Sequence, residues 1–162
     1  MPAAIRVRDA LEEDRDLLFR FHKSLYESHR DQVVAPDDLP LIAYRDYEKI
    51  LADDVRALLR DRNAHVLIAE REGQAIGYIT GRSSIESRRA LPRRGVVEDW
   101  YVEEGARGGG VGRQLLNALE ERFRDAGCQV IESATWSGNE GARRAHDALG
   151  FREIRVIYRK LL

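Results

Sequence analysis

The chain has 162 residues, enough for one domain with a buried core, and is read as a single domain over 1–162. Apolar residues make up 43% and charged residues 34%, with a formal net charge of -1, which speaks against a general nucleic-acid binder. Cys128 is the only cysteine, no Cys/His cluster has zinc-ligand spacing, and no run approaches the roughly 18 apolar residues of a membrane span, so the expectations are no internal disulfide, no metal, no membrane and a cytoplasmic setting.

In chain order, "IRVRDA" (5–10) alternates apolar and polar, as a half-buried strand does. The acidic run after Asp9 opens a helix in which Leu17, Leu18, Phe21, Leu25 and Tyr26 recur at helical spacing. Residues 31–40, with two prolines, form a connection; 41–60 give a second helix with Tyr44, Tyr47, Leu51, Val55 and Leu58 on one face. The period then changes. "AHVLIAERE" (64–72) and "QAIGYITGRSS" (74–84) are strands joined by a turn around Glu72-Gly73. The basic stretch 82–95 is expected to be a loop, and "VVEDWYV" (96–102) the next strand. Helix 111–127 carries Leu115, Leu116, Leu119 and Phe123 on its apolar side and ends at Gly127. Strand 128–136, helix 139–150 and an alternating strand 151–162 complete a mixed α/β chain.

"VEEGARGGGVGRQLL" (102–116) runs from a strand end through glycines into a helix. That arrangement presents free main-chain N–H groups to an anion. Two phosphate loops are excluded by register. A Walker A loop ends in Gly-Lys-Ser/Thr, and Gly112 is followed by Arg113; a dinucleotide fingerprint needs G-x-G-x-x-G, and neither Gly108 nor Gly110 starts one. What remains is R-x-x-G-x-G from Arg107 to Gly112, with a tight turn as the plainer alternative.

This stretch resembles the acetyl-coenzyme A loop of the GNAT N-acetyltransferase superfamily, with Val102 five positions before Arg107. "NEGARRAHDALGF" (139–151) is similar to that family's N-x-x-A-x-x-x-Y-x-x-x-G-F segment, with Asn139, Ala142, Gly150 and Phe151 in register and His146 in the tyrosine's place. "EDWYV" (98–102) resembles the corresponding strand of polyamine-type members. The resemblance implies a mixed, mostly antiparallel twisted sheet flanked by helices, in which a parallel strand pair, 96–102 and 130–135, splays into a V. It implies acetyl-CoA as cosubstrate and direct transfer to a primary amine of a small molecule or peptide. A non-catalytic acyl-CoA sensor is the alternative.

By that likeness, main-chain groups of Arg107, Gly108, Gly109, Gly110, Val111 and Gly112 would meet the pyrophosphate, with Arg113 opening the helix and Asn139 and His146 also contacting the cofactor. The Val102 amide would polarise the thioester carbonyl. An amine with a pKa of roughly 10.4 arrives protonated at neutral pH and needs a base. Glu98 is assigned that role, with Asp99 as orienter or alternative; strand alternation predicts that the two lie on opposite faces, Glu98 with Trp100 and Val102, Asp99 with Val97 and Tyr101. His146 is a candidate acid for the leaving thiolate, or a hydrogen-bonding partner near the sulfur, with Tyr101 or Tyr158 as alternatives. Trp136 could wall the thioester channel or sit in the core, and Cys128 reads as structural. The acceptor side falls to residues 20–60 and the 82–95 loop. A homodimer through the terminal strand or that loop is expected.

Overall fold

The structure, a computed structural model, describes residues 3–162. Five strands pair in the spatial order β1-β2-β3-β4-β5: β1 Ile5–Asp9, β2 Ala64–Arg71, β3 Gln74–Ile85, β4 Arg93–Val102 and β5 Val130–Ser133. The first three pairings are antiparallel; β4 and β5 are parallel. The β2–β3 hairpin turns at Glu72 (φ 52°) and Gly73 (φ 78°). Two positive φ values in a two-residue turn match the right-handed twist of the flanking strands.

Helices cover both faces. On one, α4 (Val111–Asp125) lays Leu115, Leu116, Leu119 and Phe123 against Leu67, Ile79 and Val97. On the other, α1 (Arg15–Ser28) and α3 (Tyr47–Arg60) pack Leu18, Phe21, Val55 and Leu58 on Val66, Ile68 and Tyr78. A short α2 (Leu39–Ile42) lies between α1 and α3, and α5 (Glu140–Ala148) follows β5. No described helix is long and apolar enough to cross a membrane.

Four expectations change, the first being the strand over 128–136, which is reduced to Val130–Ser133. The second helix is broken: α2 ends at Ile42 and α3 begins at Tyr47. Between them Tyr44 leaves the helical face; its N–H donates to Tyr26 Oη (3.0 Å) and its ring stacks on Tyr26. The loop 82–95 shrinks to 86–92, because Arg82–Ile85 pair with Arg93–Val96. Its charges are held in ion pairs on these strand ends, Arg82 with Asp61 and Glu98 and Arg94 with Glu132, and they hid the strand pattern. Residues 151–162 form no strand, although they alternate. A strand needs a partner edge, and no described strand pairs with the outer side of the four-residue β5. Ile154 and Tyr158 are left 72% and 90% exposed.

Candidate active site

The β4–β5 ladder stops at Val97↔Ser133, while β4 continues to Val102. The two parallel strands therefore part at Ser133. The β3–β4 register slips at the same place: Thr80 pairs with Asp99 and Gly81 with Val97, so Glu98 is the extra residue of a bulge. The bulge resets side-chain alternation. Val97, Trp100 and Val102 pack on the α4 side, and Tyr101 on the α1/α3 side. Asp99 faces His22 of α1, and Glu98 pairs with Arg82, which reaches Asp61 just after α3. The expectation that the two carboxylates lie on opposite faces is thus corrected; so is the grouping of Glu98 with Trp100 and Val102 and of Asp99 with Val97.

Their surroundings differ. Burial pushes the Glu98 carboxyl up, opposed by Arg82 and reinforced by Asp99, Asp61 and Asp54. Asp99 is fastened to the buried Thr80: Thr80 Oγ1 donates to Asp99 Oδ2 and accepts from the Asp99 N–H, both at 3.1 Å. His22 Nδ1 lies 3.6 Å from Asp99 Oδ1 and 3.1 Å from Tyr78 Oη, and its Nε2 lies 3.6 Å from Asp54 Oδ2. Burial pushes the Tyr78 hydroxyl well up, helped by Asp99 and Tyr101, so it stays protonated. Burial pulls the His29 imidazole down, opposed by Asp99. Glu98, Asp99, Asp54 and Asp61 thus form a carboxylate-rich cluster where β4 meets α1 and α3.

At the far end of β4, a turn at Glu104–Ala106 leads into the glycines. Gly108 (φ 78°) and Gly110 (φ 79°) hold left-handed torsions that side chains resist, and Gly110 caps α4 without a side chain in the way. The first intrahelical bond there is Gln114 N–H to Gly110 O (3.0 Å). The amides of Val111, Gly112 and Arg113 are left at the positive end of the helix, where an anion is stabilised. Arg107 turns its side chain back, Nε donating to Val102 O at 3.0 Å. A cation that the sequence did not single out stands closer: Arg71 Nη2 is 3.1 Å from where a Cβ on Gly109 would sit, and its buried Nε has no partner. Since Glu103 N–H donates to Ile76 O of β3, the neighbouring Val102 N–H points the other way, toward the gap left by β5.

On the opposite arm, Asn139 caps α5, its Oδ1 accepting from Ala142 N–H (3.1 Å). His146 Nδ1 lies 2.6 Å from Ala142 O and Nε2 lies 2.7 Å from Ser133 Oγ. Trp100 and Phe151 meet the imidazole edge-on. Ser133 was not anticipated; nothing in "VIESATW" marks it. Two other side chains of this region lie outside the buried core. Trp136 is 36% exposed with Arg159 over its ring, and Cys128 lines a cleft of about 510 Å³ with Arg93 and His65 at the other end of β4. Tyr158 is outside the sheet.

An anion cradle at a strand end, a parallel neighbour that splays away and carboxylates at the fork define an acyl-transfer enzyme. The profile of the acetyltransferase (GNAT) family matches residues 11–151, and the chain belongs to that family. It is 32% identical to an aminoglycoside N(6')-acetyltransferase type 1 of Stenotrophomonas maltophilia over 74% of this chain and 80% of that one. It is 42% identical to an L-methionine sulfoximine/L-methionine sulfone acetyltransferase of Pseudomonas aeruginosa over 48% of this chain and 46% of that one. Among solved structures, AAC(6')-Iy in complex with the bisubstrate analogue CoA-S-monomethyl-acetylneamine superposes with a TM-score of 0.74 at 25% identity, covering 99% of this chain and 100% of that one. The chain is an acetyltransferase.

Proposed function

We propose that the chain transfers the acetyl group of acetyl-CoA directly to a primary amine of a small cationic molecule or peptide. The observation that carries this reading is the bulge at Glu98, which brings two carboxylates to one face of the sheet beside the fork. The pyrophosphate would meet the amides from Arg107 to Arg113, with Arg71 adding charge, and the pantetheine arm would run along the open edge of β4. Val102 N–H faces that edge and would donate to the cosubstrate. Asn139 and His146 would line the opposite arm.

Glu98 is the base in this reading. Its raised pKa brings a carboxylate nearer the operating pH, where a general base works best. Asp99, held by Thr80, orients the ammonium, and Asp54 and Asp61 extend the negative field that favours a cation. Names among the relatives support an amine acceptor, since they include aminoglycoside and amino-acid acetyltransferases. His146 in its neutral form has no proton on Nε2 to give, so it serves the thiolate only after taking one up. A cytoplasmic homodimer completes the reading.

The test is free-thiol release from acetyl-CoA across a panel of aminoglycosides, polyamines, amino acids and peptides, with the acetylated product identified by mass. Turnover with an amine supports the reading. Tight coenzyme A binding without turnover on any amine overturns it in favour of a sensor.

A further inference from the structure

The fork has a second polar arm that amine transfer does not require. A carbonyl oxygen only accepts, so the 2.6 Å contact to Ala142 O places the His146 proton on Nδ1. Nε2 of the neutral ring is then an acceptor, and the Ser133 hydroxyl at 2.7 Å donates into it. The aromatic edges of Trp100 and Phe151 hold the ring on both sides. A hydroxyl bonded to a base that is itself oriented by a third group is the arrangement of an activated nucleophile. Its position matters as much. Ser133 is the last β5 residue paired with β4, half-buried where the strands part, and Trp100 links the ring to Gly112 of the anion cradle.

We propose that Ser133, activated by His146, accepts the acetyl group from acetyl-CoA when no amine is bound, giving the enzyme a second activity as a small-acyl thioester hydrolase. The inference rests on the reading that the thioester lies in the fork. Ser133 Oγ bonds to the carbonyl carbon as its proton passes to His146 Nε2. The carbon–sulfur bond breaks, and the thiolate leaves with that proton as free thiol. Water then attacks the acetyl ester, giving one proton to His146 Nε2. The ester bond to Oγ breaks, Ser133 recovers the proton, and acetic acid departs, losing its own proton to solvent as acetate. The sum is acetyl-CoA and water to coenzyme A, acetate and a proton, with no redox change. Glu98 and Asp99 stand on the β4 arm, so the same thioester has an amine acceptor on one side and a hydroxyl on the other.

The experiment compares the wild-type chain with Ser133→Ala, their folding matched by thermal melting. Amine-free thiol release from acetyl-CoA is measured first. Each protein is then treated with a fluorophosphonate, which labels activated serines whether or not an acyl form accumulates, and the labelled peptide is identified by mass. The expected result is slow wild-type hydrolysis, a loss of about 100-fold or more in Ser133→Ala, and labelling at Ser133 that coenzyme A suppresses. Absence of wild-type hydrolysis, hydrolysis by Ser133→Ala within threefold of wild type, or labelling that misses Ser133 overturns the proposal. Wild-type acetylation of amines is scored separately, so the hydrolase can fail while the transferase reading stands.

Discussion

At the scale of single residues, the proposed base has the most distinctive surroundings. Glu98 is raised by burial against the opposing Arg82. A raised carboxyl is protonated, and useless as a base, until the pH climbs past its ordinary range. The acid limb of kcat/KM is therefore expected above the usual carboxylate value of about 4.3 and falls as pH drops through the raised pKa. Glu98→Gln should lower kcat/KM by about 10²–10⁴-fold and erase that limb; a pH–rate profile of both proteins checks it. Arg71 makes a second case. With its Nε unpartnered and its Nη2 over Gly109, it is set to meet a phosphate, and Arg71→Ala should raise KM for acetyl-CoA about tenfold, with kcat little changed. Steady-state kinetics against acetyl-CoA decides. These residues differ in how they could be read. Glu98 and Asp99 were visible because adjacent carboxylates inside an apolar strand are unusual, but the bulge that reorients them was not, since a register slip is a property of two strands. His22 lies in the 20–60 stretch that was given to the acceptor side, whereas Arg71 and Ser133 come from distant segments and carry no local mark.

At the scale of elements, local rules worked where one segment fixes its own shape. The apolar stripe of α4, the hairpin turn at Glu72-Gly73 and the Asn139 cap all follow from short-range chemistry. They failed where partners decide: Tyr26 pulls Tyr44 out of a helix, and β4 recruits Arg82–Ile85 into the sheet. The docking of α4 on the sheet shows the same dependence. Phe123 lies flat over Gly95, where an added Cβ would fall 2.4–2.6 Å from its ring, and also reaches Gly81. These glycines let the helix come close, and the helix carries the anion cradle at its other end. Gly95→Ala should push Phe123 off its seat and destabilise the fold by about 1–3 kcal/mol, about 2–4 °C in Tm per kcal/mol. Gly105, with open space around its Cβ position and no positive φ, is the control: Gly105→Ala should stay within about 0.5 kcal/mol. Thermal melting of the two variants separates close packing from a general intolerance of glycine replacement.

At the scale of the whole molecule, the sheet ends abruptly. The segment 151–162 has the alternation of a strand, and Ile154, Val156 and Tyr158 share one face of that pattern. All three are exposed, and Ile157, Leu161 and Leu162 beside them are too. Exposed apolar residues grouped this closely in sequence are of the kind that another chain would cover. The short β5 is the edge of the sheet and presents main-chain donors and acceptors that an added strand would satisfy. A second copy would supply both halves at once, an edge for this strip and a strip for this edge, and a two-fold arrangement would close without growing into a filament. The expected mass in solution is that of two chains, measured by light scattering or sedimentation. Replacing Ile154 and Val156 together by lysine places like charges at a two-fold contact and should give single chains with the helix and sheet content intact by circular dichroism. A wild-type chain that stays single at concentrations where it is active would instead leave the strip to a different partner. The charged variant also separates assembly from chemistry: the carboxylates, the anion cradle and the Ser133–His146 pair all lie within one chain, so a single chain should still bind coenzyme A.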